Sequence, residues 1–184
     1  MRWQALFDDL EAQLDAAEAA ELHAEVADRT RRETGLLALS DRLRAAHDSP
    51  VVLTVWGAGV VRGELRDSGP DWLLLAENGQ REVVVPLDAV LGLSGIGTRS
   101  AAPGSEGEVG RRLDLRWVLR GLARDRTGLT IGLRDGTTVA GTLDRVAADH
   151  VDLAEHAPGE ERRAGQVRQV RLVPLTALAL LRSS

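Results

Sequence analysis

Residues 53–65, LTVWGAGVVRGEL, return at 131–143 as IGLRDGTTVAGTL, with Val55 matching Leu133 and Gly63-Glu64-Leu65 matching Gly141-Thr142-Leu143. A second stretch follows each of these. Residues 83–93, VVVPLDAVLGL, return at 171–181 as RLVPLTALALL, so that Val85-Pro86-Leu87 matches Val173-Pro174-Leu175. The second copy holds about ten extra residues between its matching ends. An internal duplication therefore sets the architecture.

Each copy reads as short β signals. In the first, Val51 to Trp56, Val60 to Asp67, Asp71 to Ala76, Gln80 to Val85 and Leu91 to Leu93 are expected strands, separated by Gly57-Ala58-Gly59, Gly69-Pro70, Asn78-Gly79 and a turn at Pro86. Asn-Gly is the strongest hairpin signal here, because both residues accept the positive φ of a type I′ turn. Five such strands must curl to close a core, so a small barrel is expected. In the second copy the strands are Leu129 to Arg134, Thr137 to Val146, Asp149 to Glu155, Val167 to Val173 and Ala177 to Leu181. Before it, Asp114 can cap a helix whose apolar face is Leu115, Val118, Leu119 and Leu122. This helix sits where residues 36–47, with Leu36, Leu39 and Leu43, sit in the first copy. The repeated unit is a helix plus five strands.

A helix followed by a bent five-stranded barrel, with a hydrophobic-x-Gly-x-Leu second strand, resembles the Sm-like (LSm/Hfq-like) family. In the first copy Val55, Gly59, Gly63, Leu65 and Asp71 carry the resemblance, and in the second Leu133, Gly136, Gly141, Leu143 and Asp149. It implies a mainly β chain with some α: a helical leader at 1–35, a first Sm-like (SH3-like) barrel with its helix at 36–95, a flexible linker at 96–112, and a second barrel with its helix at 113–184. Gly63 and Gly141 are expected where the second strand bends around the barrel. The family's RNA pocket has an Asn after the third-strand aspartate and a basic pair before strand five. Here Leu75 stands near the first, and Val85-Pro86 and Val173-Pro174 stand at the second. Without a stacking aromatic and a phosphate-reaching cation, single-strand binding loses its two main contributions.

Composition narrows the class. The 184 residues, 43% hydrophobic and 28% charged, suffice for ordinary cores. The absence of cysteine excludes a disulfide scaffold, a thiolate metal site and a thiol nucleophile. Every basic residue is Arg and Tyr is missing, a bias expected of high-GC bacterial coding. The acids in MRWQALFDDLEAQLDAAEAAEL interrupt what a signal peptide would need, and no run of eighteen apolar residues occurs, so a cytoplasmic protein is expected. Residues 1–50 hold eleven acids and six Arg, whereas the remainder holds seventeen of each. An acidic leader beside neutral repeats argues against binding driven by long-range attraction to phosphates.

In that leader Trp3, Phe7, Leu10, Leu14 and Ala17 line one side of a helix. The stripe suits either docking on the chain's own barrel or a dimerising coiled coil. From Glu21 to Glu33 it weakens, and Gly35 marks a kink or break.

Other sites are few. Arg112, Arg116, Arg120 and Arg124 recur every four residues, a stripe that suits phosphates or an acidic partner, and equally a solvated face or pairing with the leader. A charged loop adds Arg162, Arg163 and Arg168. His150, Asp152 and His156 share a strand face, but the two histidines stand roughly 20 Å apart along a strand, too far for one ion. No metal site, cofactor site, small-molecule substrate or catalytic grouping is read. Trp56 and Trp72 read as core or interface anchors. The expected function is a binding or scaffold module engaging a protein partner or itself; the alternative is an RNA-binding regulator using the Arg face.

Overall fold

The computed structural model describes residues 2–78, 81–102, 104–157 and 167–183. The chain divides into two compact units, one ending at Ala38 and one beginning at Leu39. The first is the helix α1 (Arg2–Gly35). Its expected weak half is helical throughout, and exposed i,i+4 pairs lie along it: Arg29 with Glu33 at 2.9 Å and Arg32 with Asp28 at 2.7 Å. It stops at Gly35, where the Leu36 and Leu37 N–H groups tighten the last turn onto Glu33 and Thr34. No helix among the described residues is long and apolar enough to cross a membrane.

The second unit holds both copies of the repeat. The first copy runs α2 (Leu39–Arg44), β1 (Pro50–Val55), β2 (Gly59–Ser68), β3 (Trp72–Glu77), β4 (Arg81–Pro86) and β5 (Val90–Ser94). After α3 (Gly107–Arg112), the second runs α4 (Leu115–Arg124), β6 (Gly128–Leu133), β7 (Thr138–Val146), β8 (His150–Glu155), β9 (Gln169–Pro174) and β10 (Leu178–Ser183). Every strand lies within two residues of its expected bounds. The helix expected at 36–47 is shorter, and Leu36 lies outside it. Between the last two strands of each copy lies one 3₁₀ turn, at Leu87–Ala89 and at Leu175–Ala177.

The strands form one open antiparallel sheet in the order β5-β1-β2-β3-β4-β10-β6-β7-β8-β9. Each copy contributes five neighbouring strands in the same internal order. Even the irregularities repeat: β2 slips register against β3 between Leu65 and Asp67, and β7 slips against β8 between Leu143 and Arg145. Gly63 and Gly141 also have matching surroundings, though not for the bend alone. A Cβ on Gly63 would come within 2.7 Å of the Ala76 carbonyl oxygen, and one on Gly141 would fall on that of Ala154. These glycines let the backbone of the third strand of each copy approach closely.

Two apolar clusters form the core, one per copy, but they exchange residues. Ala179 and Leu180 of β10 belong to the first cluster, while Trp72 and Val84 of the first copy belong to the second. The cause is the pairing of β4 with β10, Val84 opposite Leu181 and Val83 opposite Arg182, which covers both faces of both strands. Their continuous apolar runs, Val83 to Val85 and Leu178 to Leu181, are the sequence mark of strands buried on two sides.

Residues 96–112, expected as a flexible linker, carry α3 and several ties to α2. Arg42 Nη2 donates to the Gly97 carbonyl at 2.7 Å, the Ala101 N–H donates to the Asp41 carbonyl at 3.0 Å, and Arg44 pairs with Glu106 at 2.9 Å.

Candidate interaction surface

The seam between β4 and β10 shows how one copy of the repeat grips another. Trp72, 6% exposed, enters the cluster built on Leu115, Leu119, Leu178 and Leu181. Its indole N–H donates to the Leu113 carbonyl at 2.7 Å, and Asp71 Oδ1 accepts the Leu115 N–H at 2.8 Å. Asp71, immediately before the third strand of the first copy, thus satisfies the first helical N–H of the second copy's helix, beside the cap at Asp114. Further along, Arg182 donates twice to Glu77, Nε and Nη2 each at 2.9 Å, a bidentate pair that raises the guanidinium's affinity for its proton. Asp88 pairs with Arg134 at 2.6 Å, and the Arg134 guanidinium lies 5.6 Å from the centroid of the Trp56 ring. Trp56 and Arg134 occupy the same position of the two copies.

A cleft of about 330 Å³ opens beside this seam, lined by Asp71, Asp88, Asp114 and Arg116 among others. Burial raises the Asp71 pKa above the ordinary carboxylate value. Burial also opposes ionisation of Asp114, but the Trp117 N–H and the Arg116 guanidinium outweigh it and the net shift is downward. Each carboxylate already holds a part of the seam: Asp71 the Leu115 N–H, Asp114 the Trp117 N–H at 2.9 Å, Asp88 the Arg134 guanidinium. The cleft is built of structural contacts.

Among the described residues, the two ends of the sheet are the same strands without a neighbour. At one end β9, the counterpart of β4, exposes Val170 and Leu172, with Leu172 at 65% where the matching Val84 is buried. At the other end β5, the counterpart of β10, exposes Leu91 at 65% where the matching Ala179 is buried. Edge strands offer unpaired backbone groups, and here an apolar side chain accompanies them. Neither Leu91 nor Leu172 stands out in the sequence alone. Their signal lies in the repeat alignment, which sets each beside a residue buried in the seam.

The Arg stripe is not one face. Arg112 ends α3, across the break at Leu113-Asp114 from the other three. On α4, Arg116 is engaged by Asp114 at 2.9 Å, Arg124 pairs with Asp125 at 3.1 Å, and Arg120 is exposed. Arg162 and Arg163 lie outside the described residues. The Arg168 N–H donates to the Glu155 carbonyl at 2.8 Å. In α1, Trp3, Phe7, Leu10 and Leu14 are exposed. His150 contacts Asp149 at 2.7 Å, whereas His156 is buried with Nε2 at 2.8 Å from the Thr142 hydroxyl, so the two serve separate local contacts. Trp72 is a core anchor, and Trp56 is half exposed beneath Arg134. No protein-family model matches the chain, and no curated protein matches it.

Proposed function

We propose that this chain is a non-catalytic binding or scaffold protein, built on two Sm-like barrels, that engages a protein partner or itself through the open edges of its sheet. One observation carries the reading: Leu172 on β9 and Leu91 on β5 are exposed at positions whose repeat counterparts are buried in the seam. Strand addition at such an edge satisfies backbone donors and acceptors, and the flanking apolar side chain adds specificity. The competing class is an RNA-binding regulator using the Arg face. It has less support, because Arg116 and Arg124 already face carboxylates and Arg112 belongs to another helix.

Purification of the whole chain at low salt, with molar mass and the absorbance at 260 and 280 nm recorded across the eluting peak, separates the two. A scaffold elutes free of nucleic acid, and Leu172→Glu or Leu91→Glu lowers its mass or its retention of a protein partner. Nucleic acid that copurifies and leaves steeply with salt overturns this reading in favour of the Arg face.

A further inference from the structure

Trp3, Leu6 and Leu10 of α1 begin a seam at steps of three and four that continues through Ala17, Ala20, Ala24 and Ala27, with Gln13 between the two halves. Its first half is bulky and its second half small. All of these side chains are exposed, Trp3 at 73% and Leu10 at 50%. A helix draws most of its stability from packing an apolar face, so a seam left in water calls for a partner.

Charge is graded along the same helix. Residues 8–18 hold five acids and no Arg, whereas residues 29–35 hold three Arg and one Glu. Arg29 meets Glu33, and Arg31 and Arg32 share Asp28, yet the three guanidiniums stay 72–79% exposed and keep N–H donors to spare. The basic end can therefore receive further carboxylates.

Bulk and charge together select one partner and one direction. Two copies of α1 laid side by side in parallel would bring the acidic stretches together. They would also set Trp3 and Leu10 against themselves while alanine met alanine, so the axes would be forced apart at one end only. Reversing one helix about a centre between Ala17 and Ala20 removes both conflicts. Leu10 then meets the second copy's Ala27, Trp3 meets its Thr34, and Asp8 and Glu11 lie beside its basic end. We infer that α1 pairs antiparallel with α1 of a second copy of this chain, with Ala17 and Ala20 at the two-fold centre. This surface is separate from the sheet edges of the scaffold reading. A two-fold pair of helices also closes on itself, so it makes a dimer.

The test uses the full chain, whose lack of cysteine lets a single nitroxide be placed at Thr30→Cys. In the antiparallel pair the two labels lie about 35 Å apart along the axis, from the rise per residue of an α-helix. A parallel pair brings them within about 20 Å, the interaxial spacing plus the label arms. The longer dipolar distance is expected, and the shorter one overturns the inference. Light scattering gives the molar mass of the parent, of Asp8→Arg with Glu11→Arg, of Arg29→Glu with Arg32→Glu, and of the chain carrying all four. Each pair of reversals weakens association by roughly tenfold. The chain carrying all four recovers it, because the reversed ends again meet opposite charge, an outcome closed to parallel helices.

Leu10→Glu is expected to abolish the dimer, and circular dichroism checks that each variant is folded. Ala24→Glu replaces any variant that is not. A chain that stays monomeric at every concentration overturns the inference, as does association that survives Leu10→Glu and Ala24→Glu. Association lost instead through Leu91→Glu or Leu172→Glu places the self-contact at the sheet edges, which overturns the α1 pair and leaves the scaffold reading standing.

Discussion

The Trp72 indole N–H and the Leu113 carbonyl meet at 2.7 Å across 41 residues of sequence, where the third strand of one repeat reaches the helix start of the other. The indole also fills the second apolar cluster, so two changes separate its roles. Trp72→Ala removes the filling and is expected to cost about 3–5 kcal/mol. Trp72→Phe keeps most of the area but strands the carbonyl, and about 1 kcal/mol is expected. Urea unfolding followed by far-ultraviolet circular dichroism measures both. Equal losses would mean that the hydrogen bond, rather than the packing, holds the seam.

The Arg182–Glu77 pair ties the last strand to the third across the same seam, with both side chains largely shielded, 28% and 15% exposed. A double-mutant cycle with Arg182→Gln and Glu77→Gln is expected to give a coupling energy of about 0.5–3 kcal/mol. The same cycle on the exposed Arg29–Glu33 pair of α1, with Arg29→Gln and Glu33→Gln, is expected to give about 0.3–0.5 kcal/mol, because solvent screens it. A seam value as small as the exposed pair's would mean that strand pairing and packing hold the two copies without help from charge.

The strands were legible because turn residues punctuate short apolar runs and because each run occurs twice. The pairing was legible in part: Val83 to Val85 and Leu178 to Leu181 lack the alternation of a half-exposed strand, and these are the strands covered on both faces. What the sequence hid was which edges remain open, since Leu172 differs from Val84 only in where its strand lies. The Arg stripe misled for a local reason. A spacing of four predicts one face only if the helix is continuous, and Asp114, which caps α4, also separates Arg112 from it.

Glycine positions give predictions of opposite sign. A methyl group at Gly63 or Gly141 meets the carbonyl of the neighbouring strand, so Gly63→Ala and Gly141→Ala are each expected to destabilise by about 1–3 kcal/mol. Gly57→Ala acts across the seam, since its Cβ would strike the Leu133 carbonyl and φ there is 74°. In contrast Gly121 lies inside α4, where an added methyl group would meet nothing within 4 Å, and Gly121→Ala is expected to stabilise by up to about 1 kcal/mol. Denaturant midpoints of the four variants check the signs, and a destabilised Gly121→Ala would show that α4 does not behave as an ordinary helix.

Acid stability should respond in opposite directions to two carboxylates. The Arg171 guanidinium, followed by the Gln169 amide, lowers the Glu155 pKa from its ordinary value of 4.5. Such a group contributes stability that is present above the unfolded-state pKa and lost as pH falls through the folded one. Glu155→Gln is therefore less stable than the parent near neutral pH and converges with it in acid. Burial instead raises the Asp71 pKa above 3.8, so the folded state binds this proton more readily than the unfolded chain does. The ionised side chain then costs stability at neutral pH, and that cost vanishes as pH falls below the unfolded-state value. Asp71→Asn, whose amide oxygen can still accept the Leu115 N–H, is expected to be at least as stable as the parent near neutral pH and to lose that advantage in acid. Urea midpoints measured from pH 7 down to about pH 3, a span that brackets the ordinary carboxylate range, give the two curves. If both variants shift the acid limb in the same sense, the Asp71 carboxylate is stabilised by its Leu115 contact more than burial opposes it.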